Sequence, residues 1–180
     1  MPSKLAKVQK HITKKKGSKA NALHENSRDA QRLRTASARD EKVARLTAVR
    51  EKTNQPLIER VAFFQDHVEL IDTTRSADEQ TREIIASYLG RTDDELAALV
   101  AERRPGRPPS TRQPLLEQSR KTEQREYESG FWCPDMKDPA NLAALEKWGG
   151  DWSSLARIKF IRVPKVGGIR ESAFPPKGAS

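Results

Sequence analysis

The side chains with a chemical purpose legible from type and spacing are the lysines and arginines of the first third of the chain. Residues 1–60 hold 16 Lys and Arg against six Asp and Glu, a net +10, whereas residues 61–180 carry 18 against 19, a net −1. Cations concentrated in this way neutralise phosphates without making or breaking bonds, so a polyanion is the ligand class they point to. The densest positions are Lys10, Lys14, Lys15, Lys16 and Lys19, followed by Arg28, Arg32, Arg34, Arg39, Lys42 and Arg45. A second, smaller group is Arg103, Arg104 and Arg107, set among Pro105, Gly106 and Pro108.

Bond-making chemistry finds little support. Cys133, the only cysteine, lies between Trp132 and Pro134, where a small buried filler is expected rather than a nucleophile, and one cysteine allows neither an internal disulfide nor a Cys-based zinc site. His11, His24 and His67 are too far apart in sequence for a local ligand set. Asp93, Asp94 and Glu95 read as a first helical turn complementing the helix dipole. No nucleophile with base and orienting group, Gly-rich phosphate loop or metal spacing is present, so no enzyme activity, metal, cofactor or small-molecule substrate is expected. Scattered Leu5, Val8 and Ile12 do not make a signal-peptide core, and no stretch approaches 18 consecutive apolar residues; an intracellular chain without a membrane span is expected.

The elements that must carry these cations are helical. Residues 1–22 read as a disordered lysine-rich tail. Asn26 or Ser27 can cap a long basic helix over 23–54, whose apolar stripe of Leu33, Ala36, Val43 and Leu46 is too narrow to bury it on all sides. Nothing breaks that helix until Asn54 and Pro56. Residues 55–102 read as a small helical domain: Leu57, Val61, Phe64, Val68 and Ile71 recur at helical spacing, and boxes at Ser76–Glu79 and Thr92–Glu95 start two short helices, the first stopping at Gly90.

Residues 103–112 form a Pro/Arg linker. An extended Arg-Gly-Pro run of the AT-hook kind could enter a minor groove, but Arg104-Pro105-Gly106-Arg107-Pro108 interposes a proline in the usual Arg-Gly-Arg-Pro centre. Residues 113–163 hold a polar helix from about Gln113 to Ser129, stopped by Gly130, then Asp138-Pro139 as cap and first turn of another, and an extended Ile158 to Val163. Trp132, Trp148 and Trp152 fall here; aromatics beside basic residues can stack bases, yet in a chain with 35% apolar residues core packing is the leading reading. Residues 164–180, rich in Gly and Pro, read as a flexible tail. The fold class expected is mainly α: a long basic N-terminal helix plus a small irregular helical body, with extended linkers and tails.

An ordered set of motifs resembles a known family. Leu23-His24-Glu25-Asn26-Ser27-Arg28-Asp29-Ala30, Phe63-Phe64-Gln65, Tyr88-Leu89-Gly90-Arg91, Asp94-Glu95-Leu96, Arg103 to Pro108, and Pro134-Asp135 followed by Asn141-Leu142 and Trp148 are similar to translation machinery-associated protein 16 from about residue 20 to 163. The resemblance implies a nuclear, nucleolar and nucleoplasmic factor riding on precursors of the large (60S) ribosomal subunit, without a catalytic reaction. Its implied partners are ribosomal RNA, large-subunit ribosomal proteins and pre-60S assembly factors. His24 and Ser27 join the expected RNA contacts through the first motif. Two other classes remain open: a chromatin or DNA binder using the basic arm with Arg104 to Pro108, and a protein-only adaptor whose helix pairs through Leu33, Ala36, Val43 and Leu46.

Overall fold

The computed structural model describes residues 3–17, 23–71, 75–104 and 106–176; Lys19 and Pro105 lie outside the described residues. The protein is mainly α and divides into two compact units, Met1–Gln55 and Pro56–Ser180.

The first unit is an antiparallel helical hairpin of α1 (Lys4–Lys16) and the first part of α2 (Arg28–Asp66). Residues 4–16 are therefore helix, where a disordered tail was expected. Thirteen residues are marginal as an isolated helix, so partners must hold them. Ser3 caps α1 by accepting the Ala6 N–H, Asp40 of α2 accepts the Leu5 N–H at 2.8 Å, and Lys16 pairs with Asp29 at 3.2 Å. Ile12 and Ala36 are buried. A lysine-rich stretch alone offers too little apolar surface to fold; the facing helix supplies the missing acceptors and surface.

At the start of α2 Ser27 accepts the Ala30 N–H at 3.2 Å, the cap expected of it. The helix does not stop before Pro56 but continues to Asp66. Proline costs it one backbone hydrogen bond. Val61 and Phe64, each 0% exposed in the second unit, bring burial that outweighs this loss.

The second unit contains the last turns of α2, a 3-10 turn at Val68–Leu70, α3 (Ala77–Gly90), α4 (Asp93–Ala101), α5 (Arg112–Ser129), β1 (Phe131–Pro134), α6 (Pro139–Glu146), a 3-10 segment at Ser153–Arg157, β2 (Phe160–Val163) and β3 (Arg170–Ser172). Ser76 and Thr92 sit at the N-caps of α3 and α4, as the acidic first turns suggest, but neither side chain makes a capping hydrogen bond. Gly90 is the last residue of α3 rather than a left-handed stop, and Arg91 takes the cap position. By contrast Gly130 does end α5, at φ 142°, and a Cβ there would meet the Arg162 Cβ at 3.3 Å. That close approach lets β1 start immediately.

The sheet is antiparallel with order β1-β2-β3, pairing Phe131 with Val163, Cys133 with Ile161, and Phe160 with Ser172. Its strands cover a core of Val61, Phe64, Ile85, Tyr88, Leu145 and Leu155, among others. Trp132 stacks on Phe160 at 4.2 Å, and Trp148 is buried with its indole N–H donated to the Asp151 carbonyl, as the core reading expected; Trp152 is only half-buried, against Phe174. The tail expected to be flexible is tied down as far as residue 176. Lys165 donates its N–H to Tyr127, Arg82 donates to the carbonyls of Pro164, Lys165 and Gly167, β3 extends the sheet, and Phe174 packs on Trp152 and Phe160.

Candidate nucleic-acid interface

In the first unit hydrogen bonds within the hairpin set the positions of the cations. Glu25 offers its carbonyl to Arg34 at 2.6 Å, and His24 accepts the Asn26 N–H through Nδ1, which together order the turn entering α2. Asp29 is buried, with Lys16 at 3.2 Å and Arg32 at 3.8 Å. The Lys16 ammonium holds its carboxyl below the usual carboxylate value; the Leu5 N–H does the same for Asp40. These acids serve the hairpin itself, which leaves the remaining cations an uncompensated excess.

Lys10, Lys14 and Lys15 are exposed on α1, and Arg28, Arg32, Arg34 and Arg39 are exposed on α2. The hairpin brings Arg28, Arg32 and Arg39 to one side of a groove whose other side is α1, with Lys4 and Lys7 opposite them. Those two lysines carry the same exposed charge as the residues singled out from sequence but were passed over. Their spacing with His11, three and then four residues, is the helical signal that could have found them.

Farther along α2, every residue from Glu41 to Arg50 is exposed. Lys42, Arg45 and Arg50 project from this stretch together with Val43, Leu46 and Val49, which are 53, 49 and 63% exposed. The narrow stripe read from the sequence thus divides: Ala36 is buried in the hairpin and Leu33 partly so, while Val43 and Leu46 stand open.

Arg103, Arg104 and Arg107 belong to the second unit and are exposed. The Arg107 N–H donates to the Arg104 carbonyl at 3.1 Å around Gly106 at φ 82°. That hydrogen bond folds Arg107 back on Arg104, unlike the fully extended run a minor groove takes up.

Catalytic geometry is not assembled around the one thiol. Cys133 is fully buried on β1, and burial pushes its pKa up, disfavouring the reactive thiolate. Among the described residues no group of three His, Cys, Asp or Glu side chains could hold a metal ion, and no helix is long and apolar enough to cross a membrane.

Residues 19–165 match the family profile described as translation machinery-associated protein 16. The chain is 36% identical over 167 residues to translation machinery-associated protein 16 of Saccharomyces cerevisiae, covering 91% of this chain and 92% of that one. Its identity to the Mus musculus protein of the same name is 26%, across 82% of this chain and 68% of the relative; for Danio rerio the figures are 27%, 81% and 77%. A profile match that takes in α2 and most of the second unit, with a yeast relative aligned almost end to end, places this chain in the translation machinery-associated protein 16 family.

Proposed function

We propose that this protein is a non-enzymatic assembly factor that binds ribosomal RNA and ribosomal protein on nuclear precursors of the large ribosomal subunit. The observation that carries the reading is the exposed turn-after-turn surface of α2 from Glu41 to Arg50, continuous with the cationic hairpin. A helix open on all sides and rich in Arg and Lys can lie between RNA helices and neutralise phosphates without reading sequence. The name of its relatives ties them to the translation machinery, where phosphate is the dominant surface. The Lys14-Lys15-Lys16 run suits nuclear import as well as phosphate contact.

Exposed Val43, Leu46 and Val49 give the same helix a protein-binding edge, which supports contact with a ribosomal protein or another assembly factor alongside RNA. The second unit supplies the rigid, shape-specific part. No catalytic step is assigned, since the only thiol is sealed in the core.

Sedimentation of a native extract with and without nuclease tests the reading. Co-migration with large-subunit precursors that is lost on RNase treatment supports it. Retention that depends on DNA instead would favour the chromatin alternative, and indifference to both nucleases would favour a protein-only adaptor.

A further inference from the structure

The groove between α1 and α2 has a volume of about 690 Å³ and an unusual lining for a surface that merely meets a duplex backbone. Its floor is the half-buried Val8 over the buried Ile12 and Ala36, with the guanidinium groups of the α2 arginines alongside. On α1, Lys4, Lys7 and His11 follow one another by three and four residues and so share a face; on α2, Arg28, Arg32 and Arg39 share the facing side with Gln31 and Thr35 between them. Among the described residues no carboxylate lines it. Among the described residues the ion pairs of this unit are Lys16 and Arg32 with Asp29, and neither engages Lys4, Lys7 or Arg28.

Phosphate contact alone needs charge and no apolar floor. An unstacked base needs both: an apolar or guanidinium face to lie on, hydrogen-bonding groups at its edge, and cations for the phosphates that flank it. Gln31 offers an amide donor and acceptor. Thr35 sends its hydroxyl hydrogen to the Gln31 carbonyl at 2.9 Å, so its oxygen is left to accept. The volume falls in the range of roughly 300–1,000 Å³ typical of small-ligand sites. An acidic amphipathic helix is a poorer occupant, because such helices dock through a longer row of apolar anchors than these three floor residues provide.

We propose that this groove captures an extruded nucleotide of a structured RNA, at a bulge or loop. The proposal rests on the RNA-binding reading above and adds to it: the hairpin prefers distorted RNA to uniform duplex, while the cations from Lys42 onward contribute charge without that preference.

Binding of the full-length protein to two RNA hairpins of equal length and charge tests this, one fully paired and one carrying a single bulged 2-aminopurine. The bulged RNA should bind about tenfold more tightly, with a change in 2-aminopurine fluorescence. Gln31→Trp, which fills the groove from an exposed position, and separately Arg28→Ala should reduce that preference while leaving the helical circular dichroism unchanged. Lys42→Glu with Arg45→Glu should weaken both RNAs by the same factor. Equal affinity of the intact protein for the two RNAs would overturn the groove assignment and leave general RNA binding standing; so would groove variants that weaken both RNAs equally. A groove filled by Gln31→Trp that keeps its bulge preference but loses an acidic apolar peptide would assign it to protein instead. Failure of the intact chain to bind either RNA at low salt would remove the RNA reading itself and this proposal with it.

Discussion

Asp40 accepts the backbone N–H of Leu5 at 2.8 Å across 35 residues of sequence, so a carboxylate on one helix caps the start of another. Together with Lys16 on Asp29 at the far end, this contact converts a lysine-rich stretch into the first arm of a hairpin. Asp29 and Asp40 are both held below the ordinary 3.8, by the Lys16 ammonium and the Leu5 N–H respectively. A carboxyl depressed in the folded state contributes stability that is complete above its unfolded pKa and is lost as pH falls through the folded one. Protection of the Leu5 amide from hydrogen exchange should therefore hold at neutral pH and disappear on acidification below 3.8. Asp40→Ala should remove it already at neutral pH; full protection of Leu5 in that variant would show that the carboxylate does not hold α1.

Arg60 and Glu126 form the corresponding anchor of the second unit. Their two hydrogen bonds are each 2.8 Å, the guanidinium lies 4.2 Å from the Phe131 ring centroid, and Arg60 also donates to the Trp132 carbonyl. Burial opposes the charge on Arg60, but Glu126 together with Tyr88 more than offsets it. Removing one member strands the other, so Arg60→Ala or Glu126→Ala should cost about 3–5 kcal/mol in urea unfolding. Replacing both by Met should cost less than either alone, with a residue of instability because Glu126 also accepts the Trp132 N–H. A loss under about 1 kcal/mol in the single variants would contradict the anchoring role.

Trp148 and the arm should separate stability from binding. With Trp148 6% exposed, Trp148→Ala should cost about 3–5 kcal/mol and unfold much of the second unit. Trp152, half-buried against Phe174, should cost less. Reversing Arg32, Arg39 and Arg45 to Glu should spare the thermal transition of the second unit yet release the protein from large-subunit precursors. A folded Trp148→Ala protein that had lost RNA binding would reverse this division of labour.

Salt dependence measures the arm directly. If about six phosphates are contacted, raising salt from about 50 to about 200 mM should weaken RNA binding roughly a thousandfold. Nearly salt-independent affinity would remove the electrostatic mechanism.

Cys133 should behave as packing. Burial raises its pKa, so the native protein should resist alkylation and react only on unfolding. Cys133→Ala should cost about 1 kcal/mol and leave ribosomal association intact. Loss of that association with the fold preserved would give the thiol a role beyond packing.

Charge segregation, the α5 helix and its Gly130 stop, the Asp138 cap and the apolar spacing of Val61 and Phe64 were legible in the sequence, because each depends on neighbours within a few residues. The family motifs were legible for the same reason. What the tertiary structure decided depends on residues far apart in the chain. The helicity of Lys4 to Lys16 needs Asp40 and Ala36, the run of α2 through Pro56 needs the core around Val61 and Phe64, and the order of residues 164–176 needs Arg82, Tyr127 and β2. The groove joining Lys4 and Lys7 to Arg28 and Arg39 likewise exists only once α1 folds back on α2. Local patterns can announce a helix or a charge; which helix meets which is set by long-range burial and by the polar groups that burial leaves in need of partners.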